Sequence, residues 1–337
     1  MHKLIGYVGS DYLEKMDEGD IKVLDGINIA FGLVKEGKVS WDAEKYAAPI
    51  KWIKSINPNI KILLSIGGWG AGGFSDAAIT EEGRKLFAQS AKYAAITAKL
   101  DGIDLDWEYP TIPAAGIDAR PEDKQTFTLL LQEIRNALDT IESNERQMLT
   151  IAAGQGEYYI KATEMDKVAA ILDYVQIMTY DQSDAYIKFT GHHTNLYNYA
   201  KSKSSAKSAI DRFIDAGVPR EKIVMGGAFY SRKWDGVVNE NNGYRQEADT
   251  TGEYGPDYGE LAEKYIGKNG YVKYWDNDAK APYLFNGESY ISYDDQKSLE
   301  HKIEYLKKEG LLGIMYWEYK CDTTKTLTKF MAEKLKK

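Results

Sequence analysis

Eight short runs of apolar, largely β-branched residues recur along the chain, with longer amphipathic stretches between them. The runs lie at 4–8, 27–34, 60–67, 102–107, 148–153, 174–180, 223–230 and 311–317. Most are unbroken hydrophobic segments rather than alternating ones, as expected for strands covered on both faces. The stretches at 42–56, 81–99, 122–142, 163–172, 201–216, 294–309 and 324–336 carry apolar residues at three- and four-residue spacing and predict helices. Strands alternating with helices argue for an α/β chain of βα units, and eight of them predict a closed (β/α)8 TIM barrel.

One interval breaks the rhythm. Other successive runs begin fewer than 50 positions apart, but those starting at 223 and 311 are 88 apart. The surplus, 235–291, is rich in turn segments such as Asn241-Asn242-Gly243-Tyr244 and Asn269-Gly270-Tyr271. It predicts a small α+β domain inserted between strands seven and eight, with 1–234 and 292–337 forming the barrel.

Composition narrows the partners. The 337 residues carry 43 Lys and Arg against 51 Asp and Glu, a formal net charge of −8. Nucleic acid and anionic membranes are poor partners for such a surface. No run reaches the roughly 18 apolar residues of a membrane span. Met1-His2-Lys3 runs directly into an apolar strand without a signal-type segment, so the chain as given reads as cytosolic or already processed. The single Cys321 excludes an intrachain disulfide and a Cys-based zinc cluster, and the four histidines lack helical ligand spacing. Neither metal nor cofactor is expected. Tyrosines (25) and tryptophans (7) together outnumber phenylalanines (9), which suits a wet aromatic groove.

The fourth run, Asp101-Gly102-Ile103-Asp104-Leu105-Asp106-Trp107-Glu108-Tyr109-Pro110, carries the chemistry. Strand alternation puts Asp104, Asp106 and Glu108 on one face and Ile103, Leu105 and Trp107 on the other. Same-face neighbours sit about 6.6 Å apart. At an effective dielectric near 20, two charges at that distance repel by roughly 2.5 kcal/mol, close to two pKa units. At least one carboxyl should therefore hold a proton at neutral pH, and the outermost, Glu108, is placed to deliver it as a general acid.

The segment 101–108 resembles the D-x-x-D-x-D-x-E signature of family 18 glycoside hydrolases, the chitinases. Further matches follow in the family's order: Ser65-Ile66-Gly67-Gly68-Trp69, Met178-Thr179-Tyr180-Asp181, Thr190-Gly191-His192-His193, Gly227-Ala228-Phe229-Tyr230-Ser231-Arg232 and Gly313-Ile314-Met315-Tyr316-Trp317. Ser231 stands where Gly is common. Ala281-Pro282-Tyr283 and Ile291-Ser292-Tyr293-Asp294-Asp295 resemble the end of the chitinase insertion domain, which gives the long interval an identity.

The resemblance implies retaining, substrate-assisted hydrolysis of β-1,4-linked N-acetylglucosamine chains, chitin or chito-oligosaccharides, through an oxazolinium intermediate. Glu108 is then the acid and base, Asp106 holds the acetamide N–H, Asp104 shares a proton with Asp106, and Tyr180 orients the acetamide carbonyl. Asp181 and Arg232 hold sugar hydroxyls. Trp317 floors the subsite on the nonreducing side of the cut, Trp69 the next, with Tyr186 further along; Met178, Tyr230 and Phe31 complete the sugar site. His192 and His193 are expected to brace a loop. The rivals are an endo-β-N-acetylglucosaminidase acting on N-glycans or peptidoglycan, and a non-catalytic lectin-like relative, against which Glu108 argues. A monomer working outside the cell fits the family.

Overall fold

The computed structural model describes residues 2–337. The eight runs form strands β1 (Lys3–Gly9), β2 (Gly26–Lys35), β3 (Lys61–Gly67), β4 (Gly102–Asp106), β5 (Met148–Gly154), β6 (Tyr174–Met178), β7 (Ile223–Ala228) and β8 (Gly313–Trp317). Neighbours pair in parallel in the order 1-8-7-6-5-4-3-2, and β1 also pairs with β2. The sheet is a closed barrel. Trp107, Tyr180 and Tyr230, read from sequence as strand ends, lie just beyond the ladders, where the chain turns into the loops of the C-terminal face.

The outer layer holds helices Ala43–Ile56, Glu81–Ala98, Asp123–Asp139, Met165–Ile171, Ala206–Asp215, Gln296–Glu309 and Leu327–Lys336. Their ends follow from capping. Asp295 accepts from the Ser298 N–H, and Ser298 Oγ accepts from the Asp295 N–H, starting one helix that Gly310 closes in the left-handed region at φ 68°. Ser205 and Ser208 make the same reciprocal cap, so the stretch expected from 201 begins only at Ala206. Two short helices, Phe74–Ile79 and Glu157–Ala162, lie outside the expectation; six residues are too few to display a period. Between β1 and β2 the crossover has only a 3-10 segment, Ser10–Lys15, and one turn, Glu18–Ile21.

Between β7 and β8 the chain builds a second, antiparallel sheet in the order Glu253–Tyr254, Arg232–Trp234, Tyr290–Ser292, Ala281–Phe285, Val272–Asp276. Trp234, Tyr283, Phe285 and Tyr290 pack in one cluster, and Leu261, Leu284, Ile291 and Tyr293 in another. The strand Arg232–Trp234 precedes position 235. It hangs this sheet directly on the loop after β7. No helix is long and apolar enough to cross a membrane among the described residues.

Candidate active site

Asp104 is buried at the centre of the barrel and accepts four hydrogen bonds, each from a different strand. Tyr7 Oη (2.9 Å) comes from β1, Ser65 Oγ (2.7 Å) from β3, Thr150 Oγ1 (2.6 Å) from β5 and Gln176 Nε2 (3.0 Å) from β6. Gln176 is itself fixed by Asn28 Nδ2 at 2.8 Å. Burial pushes the Asp104 pKa up while these donors pull it down, and the upward push prevails.

Asp106, one layer higher, is the opposite case. Its Oδ1 is buried without a hydrogen-bond partner. Burial, then the charges of Glu108 and Asp104, drive its pKa well above the ordinary range. No hydrogen bond joins Asp106 to Asp104, so the expected shared proton is not bridged in this geometry; Asp104 spends its acceptor sites on four other donors. The strand approaches β3 closely here. A Cβ on Gly67 (φ 121°) would fall 2.0 Å from the Asp106 carbonyl oxygen, and the Gly68 N–H donates to that oxygen at 2.9 Å. Only glycine permits both, which explains the Gly67-Gly68 pair.

Glu108 lies at the top of the same face, 8% exposed. Burial raises its pKa to about 7; the neighbouring Tyr109 hydroxyl opposes the shift and the charge of Asp181 adds to it. A carboxyl titrating there can both give and take a proton at neutral pH.

Two strands further round the barrel, Asp181 follows β6 in the left-handed region at φ 52°. Arg232 grips it with Nε to Oδ1 and Nη2 to Oδ2, both 2.7 Å. His193 Nδ1 lies 3.5 Å from Asp181 Oδ1. Burial alone would raise the Asp181 pKa, but these partners hold it well below the usual carboxylate range. Burial lowers the His193 pKa, against the opposing pull of Asp181. His192 braces the second sheet instead, its Nε2 lying 3.1 Å from Asp276 Oδ2. The expectation for the histidine pair thus fits His192, whereas His193 sits against the site. Its signal was faint, one ring adjacent to another in a loop.

These groups surround a cavity of about 810 Å³ at the C-terminal face. Every residue assigned to the site from sequence lines it except Asp104, which lies beneath, tied to the cavity through Tyr7. The Trp317 ring stacks on Phe31 at 5.4 Å and 19°. Gly68 makes room: a Cβ there would meet the Phe31 ring at 2.7 Å. Trp69, 65% exposed, meets Tyr109 edge-on at 6.4 Å. Tyr180 lies edge-on to Tyr230 at 5.9 Å, and Arg232 lies under 6 Å from the rings of Tyr186, Tyr230 and Tyr254. Tyr7, Tyr109, Tyr158 and Tyr254 line the cavity without having been singled out. Their only signal was the excess of tyrosine, which does not say which ones converge. No cluster of three or more His, Cys, Asp or Glu suited to a metal occurs among the described residues.

The family model for glycosyl hydrolases family 18 matches residues 3–322. Chitinase A1 of Niallia circulans is 41% identical over 299 residues, covering 82% of this chain and 42% of that protein. Chitotriosidase-1 of Mus musculus is 33% identical over 287 residues, covering 81% of this chain and 61% of that one. The chain thus spans about half the length of these curated relatives. Among solved structures, a family 18 N-acetylglucosaminidase from Paenibacillus barengoltzii superposes with a TM-score of 0.96 at 47% identity, covering 99% of this chain and 100% of that one. A multi-modular, cell-surface-expressed chitinase of Paenibacillus gives 0.93 at 40% identity, over 99% of this chain and 42% of that one.

Proposed function

The chain belongs to family 18 of the glycosyl hydrolases, and on that premise we propose that it hydrolyses β-1,4-linked N-acetylglucosamine chains, chitin or chito-oligosaccharides, with retention and with the substrate's own acetamide as nucleophile. The observation that carries this reading is the pairing of a Glu108 poised near neutrality with an Asp106 whose buried Oδ1 has no donor. An acceptor left unsatisfied in the unliganded site calls for an N–H from the ligand.

Glu108 protonates the glycosidic oxygen as the acetamide carbonyl oxygen attacks the anomeric carbon. Asp106 accepts from the acetamide N–H, and Tyr180 donates to its carbonyl. The C–O bond to the leaving sugar breaks and a cyclic oxazolinium forms. Glu108, now a carboxylate, takes a proton from the water that opens the ring. Asp104 acts as a positioning residue, a fixed buried carboxyl beneath Asp106. Asp181 is committed to Arg232 and supplies no nucleophile. The exposed Trp69 and the stacked Trp317 and Phe31 offer flat faces to pyranose rings. The antiparallel sheet of 232–292 serves as the insertion domain that deepens the groove. We further assign the protein to the outside of the cell, acting as a monomer.

The likeness to an N-acetylglucosaminidase over the full length of both chains favours a second reading, release of single N-acetylglucosamine units from chain ends. A product series from end-labelled N-acetylglucosamine oligomers separates the two. The mechanism is tested by acetylation: fully deacetylated oligomers and cello-oligosaccharides should resist, a thiazoline mimic should inhibit, and new reducing ends should emerge as the β anomer. Efficient cleavage after a glucosamine residue would overturn substrate assistance.

A further inference from the structure

Charge in the cavity is segregated. Its carboxylates, Asp106, Glu108 and Asp181, sit at the centre, and Asp181 is neutralised by Arg232. Two more cations, Lys203 and Arg212, line the same cavity in the sector of β5 and β6. Barrel order places this sector across from β1 and β2, which contribute Tyr7 and Phe31. Arg212 Nη1 donates to the Gln155 carbonyl oxygen at 2.8 Å, which fixes the guanidinium beside the loop after β5. Lys203 is exposed and adjoins Ser204, whose hydroxyl is bonded to Gln182 in the loop after β6. Neither cation has a carboxylate within 4 Å among the described residues. About half of the other Lys and Arg among the described residues do have one, in a chain where acids exceed bases by 8. A neutral polymer of N-acetylglucosamine offers hydroxyls to Arg232 but no charge for two further cations to meet.

We propose that the β5–β6 end of the cleft accepts a carboxylate carried by the sugar on the leaving-group side, so that oligosaccharides bearing an acidic reducing-end residue are preferred over their neutral counterparts. This rests on the hydrolase reading above, which sets Trp317 on the nonreducing side of the cut and Trp69 and Tyr186 beyond it. Lys203 supplies a mobile point charge. Arg212, already anchored through one nitrogen, supplies a second donor set in fixed position.

The experiment compares kcat/KM for an N-acetylglucosamine tetramer whose reducing end is oxidised to the aldonic acid with that for the same tetramer reduced to the alditol. Both have an open terminal residue and differ in charge. A second pair, in which the leaving sugar carries or lacks a lactyl ether carboxylate, distinguishes a side-group acid from a chain-end acid. The expected ratio is about fivefold for at least one pair, in keeping with two partly exposed ion pairs. It should shrink as salt rises from about 0.02 to about 0.5 M, over which the Debye length falls from roughly 20 to roughly 4 Å. In Lys203→Gln/Arg212→Gln, checked for native circular dichroism, the ratio should fall to about one, and Lys203→Glu should bring it below one. Hydrolysis of the neutral oligomers with a ratio near one in the native protein overturns the anion-accepting end and leaves the hydrolase reading standing. Failure to cut any N-acetylated oligomer overturns both.

Discussion

Arg232 holds Asp181 in a two-pronged grip, Nε to Oδ1 and Nη2 to Oδ2 at 2.7 Å each, although the two residues lie 51 positions apart in the chain. Asp181 follows a barrel strand, while Arg232 begins a strand of the inserted sheet. The pair ties that sheet to the site and keeps Asp181 charged beside Glu108. Arg232→Lys retains the charge but cannot reproduce the planar fork. Turnover should fall about tenfold with the fold intact, as measured by steady-state kinetics beside thermal unfolding; undiminished kcat/KM would leave the grip a purely architectural role.

Glu108→Gln should lower kcat by several orders of magnitude, because Asp106 is reserved for the acetamide N–H and Asp181 is held by Arg232, which leaves neither to transfer the proton. Oligosaccharide affinity, measured by calorimetry, should change little.

The same residue sets a pH dependence. Its folded pKa, about 7, lies above the ordinary glutamate value, so the protonated form is favoured by folding. The stability it contributes is present below the unfolded value and is lost as pH rises through about 7. Native kcat/KM should decline on the basic side with an apparent pKa near 7. Glu108→Gln, which cannot ionise, should gain thermal stability over the native protein at pH 8 and show little difference at pH 4. An advantage at pH 4 instead would reverse the assigned sign.

Asp106→Asn removes a carboxylate acceptor whose Oδ1 has no partner in the free site. The expected result is a loss of about 10²- to 10³-fold in kcat with KM within a few fold, since the interaction strengthens as positive charge develops. A change confined to KM would contradict the assignment.

Lys302 and Asp294 form a fully buried ion pair at 2.5 Å behind the site. Asp294 also accepts from the Ala228 N–H at the end of β7, from Thr194 in the loop beside His193, and from Ser298. Lys302→Met strands that carboxylate, so we expect a stability loss of about 3–5 kcal/mol in urea denaturation. A loss under 1 kcal/mol would show that the pair is dispensable.

The local pattern of the sequence determined a good deal. Unbroken β-branched runs marked the eight strands, the period of two placed Asp104, Asp106 and Glu108 on a common face, and the 88-residue interval located the second sheet. All of these are properties of neighbours in the chain. What separates the three carboxyls is not local. Asp104 is saturated because Tyr7, Ser65, Thr150 and Gln176, between 39 and 97 residues away, arrive on four other strands, while Oδ1 of Asp106 two positions later is buried without a partner. His193 beside Asp181, and the choice of Tyr109, Tyr158 and Tyr254 from among 25 tyrosines, follow from the same cause. Periodicity reports which face a side chain takes. Closure of the barrel alone decides which distant atoms come within hydrogen-bonding range of it, and those contacts set the desolvation and pairing on which each pKa depends.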